Sequence, residues 1–195
     1  SASYRRSYIG DIGEILVYNS ILGSADRQTV EQYLSYKWLG LSVPAPTNVL
    51  PTATALVVSN TAALDLNGIS QEVGSLAGAG AVINGSGAWS TLTVGNDASS
   101  TLFSGVVSGS NALVKVGGGT LTLSGANTYF GSTLVGGGTL TLAGGANRLP
   151  AGGVVTVASG ATLNLNGQAQ TVAGVVGGGS VIGGSLTVAN GTVAP

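Results

Sequence analysis

Gly117-Gly-Gly-Thr-Leu-Thr-Leu123 recurs unchanged as Gly136-Gly-Gly-Thr-Leu-Thr-Leu142, nineteen residues later. A block that returns at a period of about twenty residues, with glycines at its turn and short alternating strands, indicates a solenoid of stacked coils. Because side chains alternate along a strand, the leucines of each copy point to one side and the threonines to the other. The leucines therefore predict a stacked core, and the glycines predict the turns between coils.

A second repeat has a longer period. Leu64-Asp-Leu-Asn-Gly68 returns as Leu163-Asn-Leu-Asn-Gly167, 99 residues later, and the match extends to Val181 and Ile182. Leu92-Thr-Val94 then matches Leu186-Thr-Val188 at an offset of 94. One module of several coils therefore ends and another begins within the chain, with an insertion or deletion in a loop between them.

The composition excludes several classes of protein. Glycine supplies 34 of 195 residues, 44% are apolar, 7% are charged and the net charge is −1. A nucleic-acid-binding protein would carry a basic face, so no nucleic-acid partner is expected. The absence of cysteine excludes disulfides and thiolate metal sites. No apolar run approaches the length of a membrane span.

Charge divides the chain into two kinds of segment. Eight of the thirteen charged residues lie in the first 37 positions, and Val43-Pro-Ala-Pro-Thr47 follows as an extended linker. We predict a strand and a helix in residues 1–43, a proline-rich linker at 44–52, and a solenoid at 53–195. The N-terminal strand would cover residues 8–18, and the helix would run from about Ala25 to Trp38, with Ser24 as its N-cap.

The solenoid segment alternates aliphatic with polar residues in short runs. No long helical pattern intervenes, so the crossovers are turns and the fold class is all-β, a parallel β-helix of about seven coils. The expected strands are 55–59, 63–66, 81–84, 90–94, 101–107, 112–116, 120–123, 132–135, 139–142, 154–157, 162–165, 180–182 and 185–188.

Residues 118–142 resemble the autotransporter-associated β-strand repeat, also called the passenger-associated repeat. The "Leu-x-Leu-Asn-Gly…Gln-x-Val" blocks that flank them are similar to sequences of the same proteins. The resemblance implies a right-handed β-helix that is exported and displayed at the cell surface, or released outside the cell, by a Gram-negative bacterium. It implies no enzymatic activity.

Residues 10–18 and 26–38 resemble the last strand and terminal helix of a concanavalin A-like (laminin G-like) domain. Such lectin-like domains bind sugars and calcium through loops, so Asp11 and Glu14 are candidate ligands. We interpret both as solvated strand residues and Trp38 as a packing residue, because one strand and one helix do not complete a lectin core.

The charged residues of the solenoid do not predict an enzyme. The chain lacks histidine, so no imidazole base or metal ligand is present. We expect Asp65, Glu72 and Asp97 to fall on different coils, and Lys115 and Arg148 have no obvious partner in the sequence. The glycine turns lack the aspartates of calcium-binding repeats and the Gly-Lys-Ser/Thr of phosphate loops. We therefore predict no catalytic residue, no metal site and no cofactor.

Two surface features have alternative interpretations. Asn127, Tyr129 and Phe130 are either an adhesive tip or, as we favour, a loop whose asparagine caps a turn and whose aromatic residues pack on a neighbouring coil. Asn84-Gly-Ser86 and Asn190-Gly-Thr192 match the short glycosylation sequon.

The leading functional hypothesis is a non-enzymatic structural protein, a stalk or a self-associating filament subunit of the bacterial surface. Its motivation is the low charge and the expectation that the chain stops at Pro195 in mid-solenoid, which would expose strand edges to another copy. The alternative is an adhesin or carbohydrate-binding protein, with surface glycans as partners and a site in the lectin-like region or in loops.

Overall fold

The computed structural model describes Val30, Lys37 and residues 48–194, with side chains through Ala189. Contacts between backbones divide the chain into two units, residues 1–45 and residues 46–195. Residues 48–194 belong to the second unit.

The second unit is built from strands and turns in its described part. Eighteen strands follow one another: β1 (Ala55–Val58), β2 (Ala63–Asp65), β3 (Gln71–Val73), β4 (Ser75–Gly78), β5 (Ala81–Ile83), β6 (Ser90–Val94), β7 (Thr101–Phe103), β8 (Val106–Gly109), β9 (Asn111–Lys115), β10 (Thr120–Leu123), β11 (Thr128–Tyr129), β12 (Thr133–Val135), β13 (Thr139–Leu142), β14 (Val154–Val157), β15 (Thr162–Asn164), β16 (Ala169–Val176), β17 (Ser180–Ile182) and β18 (Ser185–Ala194).

The strands stack into three parallel sheets. The first sheet has the order β1-β4-β7-β10-β13-β15-β17, the second β11-β8-β5-β2, and the third β18-β16-β14-β12-β9-β6-β3. Each of the first four coils contributes one strand to every sheet, and the last three coils contribute only to the first and third. The prediction of an all-β parallel solenoid of about seven turns is confirmed, and its right hand stays a prediction.

The opening repeat forms two successive coils in register. β10 pairs with β13 so that Thr120 lies opposite Thr139 and Leu121 opposite Leu140. The leucines point inward as expected: Leu121, Leu123, Leu140 and Leu142 are each at most 1% exposed. Burial of one such side chain stabilises the fold by about 1.5–3 kcal/mol, so these ladders are a main source of stability.

The predicted N-terminal elements fall outside the described residues, and the solenoid contains strands that the sequence did not predict. The N-terminal strand at 8–18 and the helix at 25–38 lie outside the described residues. Val30 and Lys37 are each helical, and two isolated positions do not establish the expected helix. Within the solenoid, β3, β4, β11 and β16 were not expected. The run 101–107 is two strands, β7 and β8, because the chain turns at Gly105, where an added Cβ would lie 1.7 Å from the Gly80 carbonyl oxygen.

The 99-residue repeat is also a repeat of contacts. The Gln71 amide accepts from Leu50 N (2.9 Å) and donates to Leu50 O (3.0 Å). The Gln170 amide bonds Leu149 N and Leu149 O in the same way, at 3.0 and 2.9 Å. The glutamine strands β3 and β16 both lie in the third sheet. Other strands of the repeat change sheet: β1 and β2 lie in the first and second sheets, whereas their counterparts β14 and β15 lie in the third and first.

Candidate functional site

The carboxylates of the solenoid are bound by turns. Asp65 Oδ1 accepts from Asn67 N and Gly85 N, both at 2.9 Å, and Glu72 Oε1 accepts from the Asn96 amide at 2.5 Å. The expectation that the three carboxylates fall on different coils was wrong in part. Asp65 in β2 and Glu72 in β3 belong to the first coil, although to different sheets.

Asp97 follows β6 in the second coil. Its Oδ1 accepts from Ser99 N at 2.8 Å. Bonds from the Ser99 backbone and, more weakly, from the Ser75 side chain hold the pKa of Asp97 below its ordinary value, against a smaller opposing effect of burial. An acceptor held in its ionised form by a turn is a structural group rather than a general acid.

Lys115 is the most unusual charged group among the described residues. It ends β9 at an inward position, between Val94 of β6 and Val135 of β12, and is 1% exposed. Its Nζ donates to Val116 O at 2.6 Å, Gly117 O at 3.1 Å and Gly137 O at 3.3 Å. The ammonium group therefore joins the two glycine turns of the opening repeat, one coil apart.

Burial lowers the pKa of Lys115, because removal from water disfavours the charged form. Space for the ammonium depends on Gly95: a Cβ there would lie 3.2 Å from Lys115 Nζ. The sequence interpretation left Lys115 without a partner, and backbone carbonyls are its partners. Its position at the inward end of a strand, in a column otherwise filled by valine, indicates burial of the side chain but not the identity of its partners.

Arg148 is likewise bound to backbone. Its guanidinium donates to Ala146 O from Nε at 3.1 Å and from Nη2 at 2.9 Å, and to Ser124 O from Nη1 at 3.1 Å. Ser124 follows β10, one coil earlier than Arg148, so the side chain ties the long loop between β13 and β14 to its neighbour. Both Lys115 and Arg148 therefore bind backbone carbonyls and not a cluster of carboxylates.

The loop around β11 contains two buried residues, Asn127 and Tyr129, and one exposed residue, Phe130. Asn127 is buried, accepts from Val107 N at 2.9 Å and donates to Arg148 O at 2.8 Å. Tyr129 is 1% exposed and bonds the Thr133 hydroxyl. As predicted, Asn127 hydrogen-bonds the backbone of neighbouring turns and Tyr129 packs in the core. Phe130 does not: it is 70% exposed, so the expectation that both aromatic residues pack was wrong for Phe130.

Asn84, the first residue of one sequon, is a buried anchor of the loop before β6. Its Oδ1 accepts from Gly68 N and Ser86 N, and its Nδ2 donates to Ala88 O, Ser90 Oγ and Ser110 O at 2.8–3.0 Å. A glycan would replace one of the two hydrogens that this buried nitrogen donates and would need space that the loop does not leave, so the sequon interpretation is disfavoured there. The anchored loop presents Trp89, which is 63% exposed.

The remaining candidates lie elsewhere. Asp11, Glu14, Ser24, Trp38 and the Asn190 side chain are outside the described residues. In the described part of the chain no group of three His, Cys, Asp or Glu residues is placed to hold a metal ion. Among the same residues, no helix has the length and apolar character needed to cross a membrane.

Comparison with known proteins gives one family match. The model of the Passenger-associated-transport-repeat family matches residues 113–142, from within β9 to the end of β13. The match contains Lys115, both glycine turns and the β10–β13 pair, and together with the solenoid it fits the stalk of a passenger domain. No curated protein and no solved structure gives a significant match to the chain.

Proposed function

We propose that this chain is a non-enzymatic structural segment, a β-solenoid spacer in the stalk of a passenger protein that a Gram-negative bacterium exports to its surface. The observation that carries the proposal is the unbroken stack of parallel coils whose central pair, residues 113–142, matches the passenger-associated repeat. The first and third sheets have seven strands each, which at ~4.8 Å per strand gives a stack of roughly 30 Å.

The chemistry of the described residues supports a mechanical role. Each of the five charged side chains in residues 48–194 hydrogen-bonds a backbone group or a neighbouring side chain. No buried side-chain nitrogen or oxygen in the described part lacks a partner. In a solenoid each coil contacts only its neighbours, so length is set by the number of coils. A spacer uses that property directly.

Deletion of residues 117–135 tests the proposal. This cut removes one whole coil and joins Val116 to the second, identical copy of the glycine turn at residue 136. The shortened chain should keep one cooperative unfolding transition, and full-length passengers that carry it should reach the cell surface in the same amount. Thermal unfolding and surface labelling of an N-terminal epitope measure the two outcomes.

A matched control deletes residues 117–126, about half a coil. This deletion puts Gly131 and Thr133 at the places of the core residues Leu121 and Leu123, and it should abolish cooperative unfolding and surface display. Equal loss of cooperative unfolding and surface display in both deletions would contradict the spacer. A spacer should tolerate removal of a whole coil but not of half a coil.

Self-association is a second proposal for the same unit. Only five residues beyond position 41 are charged, and Lys115 among them is buried, so little charge repulsion opposes contact between copies. Strands at the end of a sheet, such as β1 in the described residues, offer unpaired backbone groups to another chain. Sedimentation velocity across a hundredfold concentration range should show oligomers that grow with concentration. A monomer at every concentration would contradict self-association without affecting the spacer proposal.

A further inference from the structure

The described part of the chain contains four aromatic residues, and they divide evenly between core and surface. Phe103 and Tyr129 are at most 1% exposed, whereas Trp89 and Phe130 are 63% and 70% exposed. Both exposed residues lie at the corner between the second and third sheets. Trp89 precedes β6, and Phe130 lies between β11 and β12.

The strand register places the two rings in one column. Ser90 pairs with Asn111, so the residues before them, Trp89 and Ser110, are neighbours on adjacent coils. Phe130 N donates to Gly109 O at 3.0 Å, which in a parallel pair puts Phe130 beside Ser110. Trp89, Ser110 and Phe130 therefore follow one another along the solenoid, one coil apart each.

The backbone on either side of each ring is fixed. Asn84 binds the Ala88 carbonyl before Trp89, and Ser90 N after it donates to Ser110 O at 3.0 Å. Phe130 follows the buried Tyr129, and Gly131 N after it donates to Asn111 O at 2.8 Å. Two exposed rings on immobilised backbone cost little ordering entropy when a ligand binds.

We propose that Trp89 and Phe130 form a binding strip for a neutral, extended β-1,4-linked glycan. The two residues stand two strand spacings apart, roughly 10 Å, which matches the disaccharide repeat of such a chain. In that repeat alternate sugars present the same face, so two alternate sugars stack on the two rings. The apolar faces of pyranose rings pack on aromatic rings, and their hydroxyls meet polar groups beside them.

The surroundings select this ligand. The strip consists of Trp89, the half-buried Ser110 and Phe130, with no charged position, so it suits a neutral glycan rather than an acidic one. Ser132, beside Phe130, is exposed and adds a hydroxyl. On the next coil Gly152 is exposed, and a Cβ there would meet nothing within 4 Å, which leaves the path of a longer glycan open.

Isothermal titration of the full 195-residue chain with chitohexaose and cellohexaose tests the strip, with the α-linked maltohexaose as linkage control. Either β-linked probe should bind more tightly than maltohexaose, and the pair tells whether the N-acetyl group contributes. Trp89→Ala and Phe130→Ala should each weaken binding by roughly tenfold. Leu102→Ala, which removes a 54% exposed side chain from the first sheet, should leave binding unchanged.

A double variant tests the spacing itself. Ser110→Phe with Phe130→Ala keeps two aromatic residues but places them one coil apart, where consecutive sugars present opposite faces. This variant should lose binding as fully as Phe130→Ala. If the double variant binds as tightly as the unaltered chain, the spacing argument is wrong. Failure of both β-linked probes to bind at millimolar concentration would overturn the proposal itself. A concentration-dependent dimer that Trp89→Ala abolishes, without glycan binding, would assign the strip to self-association instead. The spacer role does not depend on any of these outcomes.

Discussion

Lys115 offers the sharpest test of how the opening repeat is held together. Replacement by methionine removes the ammonium group but keeps an unbranched apolar stem between Val94 and Val135. Replacement by alanine removes both. The pair of variants therefore separates the hydrogen bonds of the ammonium from the packing of its stem.

The magnitudes follow from the geometry. The ammonium donates at 2.6, 3.1 and 3.3 Å, and a hydrogen bond to a charged group contributes about 1.5–3 kcal/mol. Against these bonds stands a desolvation cost of several kcal/mol for a buried cation. Lys115→Met should therefore lower the free energy of unfolding by at most about 2 kcal/mol. Lys115→Ala adds a cavity and should lower it by about 3–5 kcal/mol.

The assay is urea unfolding at pH 7 and at about pH 9.5. Because burial holds the pKa of Lys115 below its unfolded value of 10.5, the folded chain loses its proton first. Its free energy of unfolding should then rise with pH between the lowered pKa and 10.5. Lys115→Met should lack this rise, so the two curves diverge as pH increases.

Two results would refute this reasoning. Equal losses in Lys115→Met and Lys115→Ala would show that the hydrogen bonds outweigh desolvation and stem packing. A free energy of unfolding that falls with pH in the native chain relative to Lys115→Met would show that the turns require the charged form.

Three further predictions concern the core and turns. Tyr129→Phe should cost about 1 kcal/mol at pH 7 by loss of its hydroxyl bond; since burial raises the pKa of Tyr129, the native chain should also lose stability above about pH 10 faster than this variant. Gly119→Ala should destabilise the fold by over ~2 kcal/mol, because its Cβ would lie 2.2 Å from a carbonyl oxygen, whereas Gly118→Ala, which meets nothing within 4 Å, should be neutral by thermal unfolding. Gln170→Leu should cost about 2–4 kcal/mol in urea unfolding, since it leaves the buried N–H and C=O of Leu149 unpaired.

The sequence predicted the strands whose pattern is strongest. Alternation of leucine and threonine placed β10 and β13 at their observed bounds. β16 was missed because Ala169–Val176 contains alanine, glutamine and glycine, whose strand propensity is low, and its place is set by pairing with β14 and β18. Tertiary pairing there overrides local preference.

Identical sequence did not give identical turns. In the first glycine turn the first glycine, Gly117, has a positive φ of 68°. In the second turn the third glycine, Gly138, has the positive φ, of 60°. The first turn packs on Ala98 and Ser99, and the second packs on the first, so the support differs. For the same reason, the carbonyls around Lys115 and the column of Trp89 and Phe130 follow from coil register and could not be predicted from spacing along the chain.

The 99-residue repeat keeps β3 and β16 in one sheet but moves other strands between sheets, and this has a consequence for how such a chain lengthens. β1 and β14 share their sequence context and their pairing pattern, yet face different sides of the stack. The sheet that such a strand joins is therefore set by the neighbouring coil as well as by its own sequence. A copied block can therefore be accepted when its glutamine strand keeps its sheet, even though its other strands join different sheets around the axis.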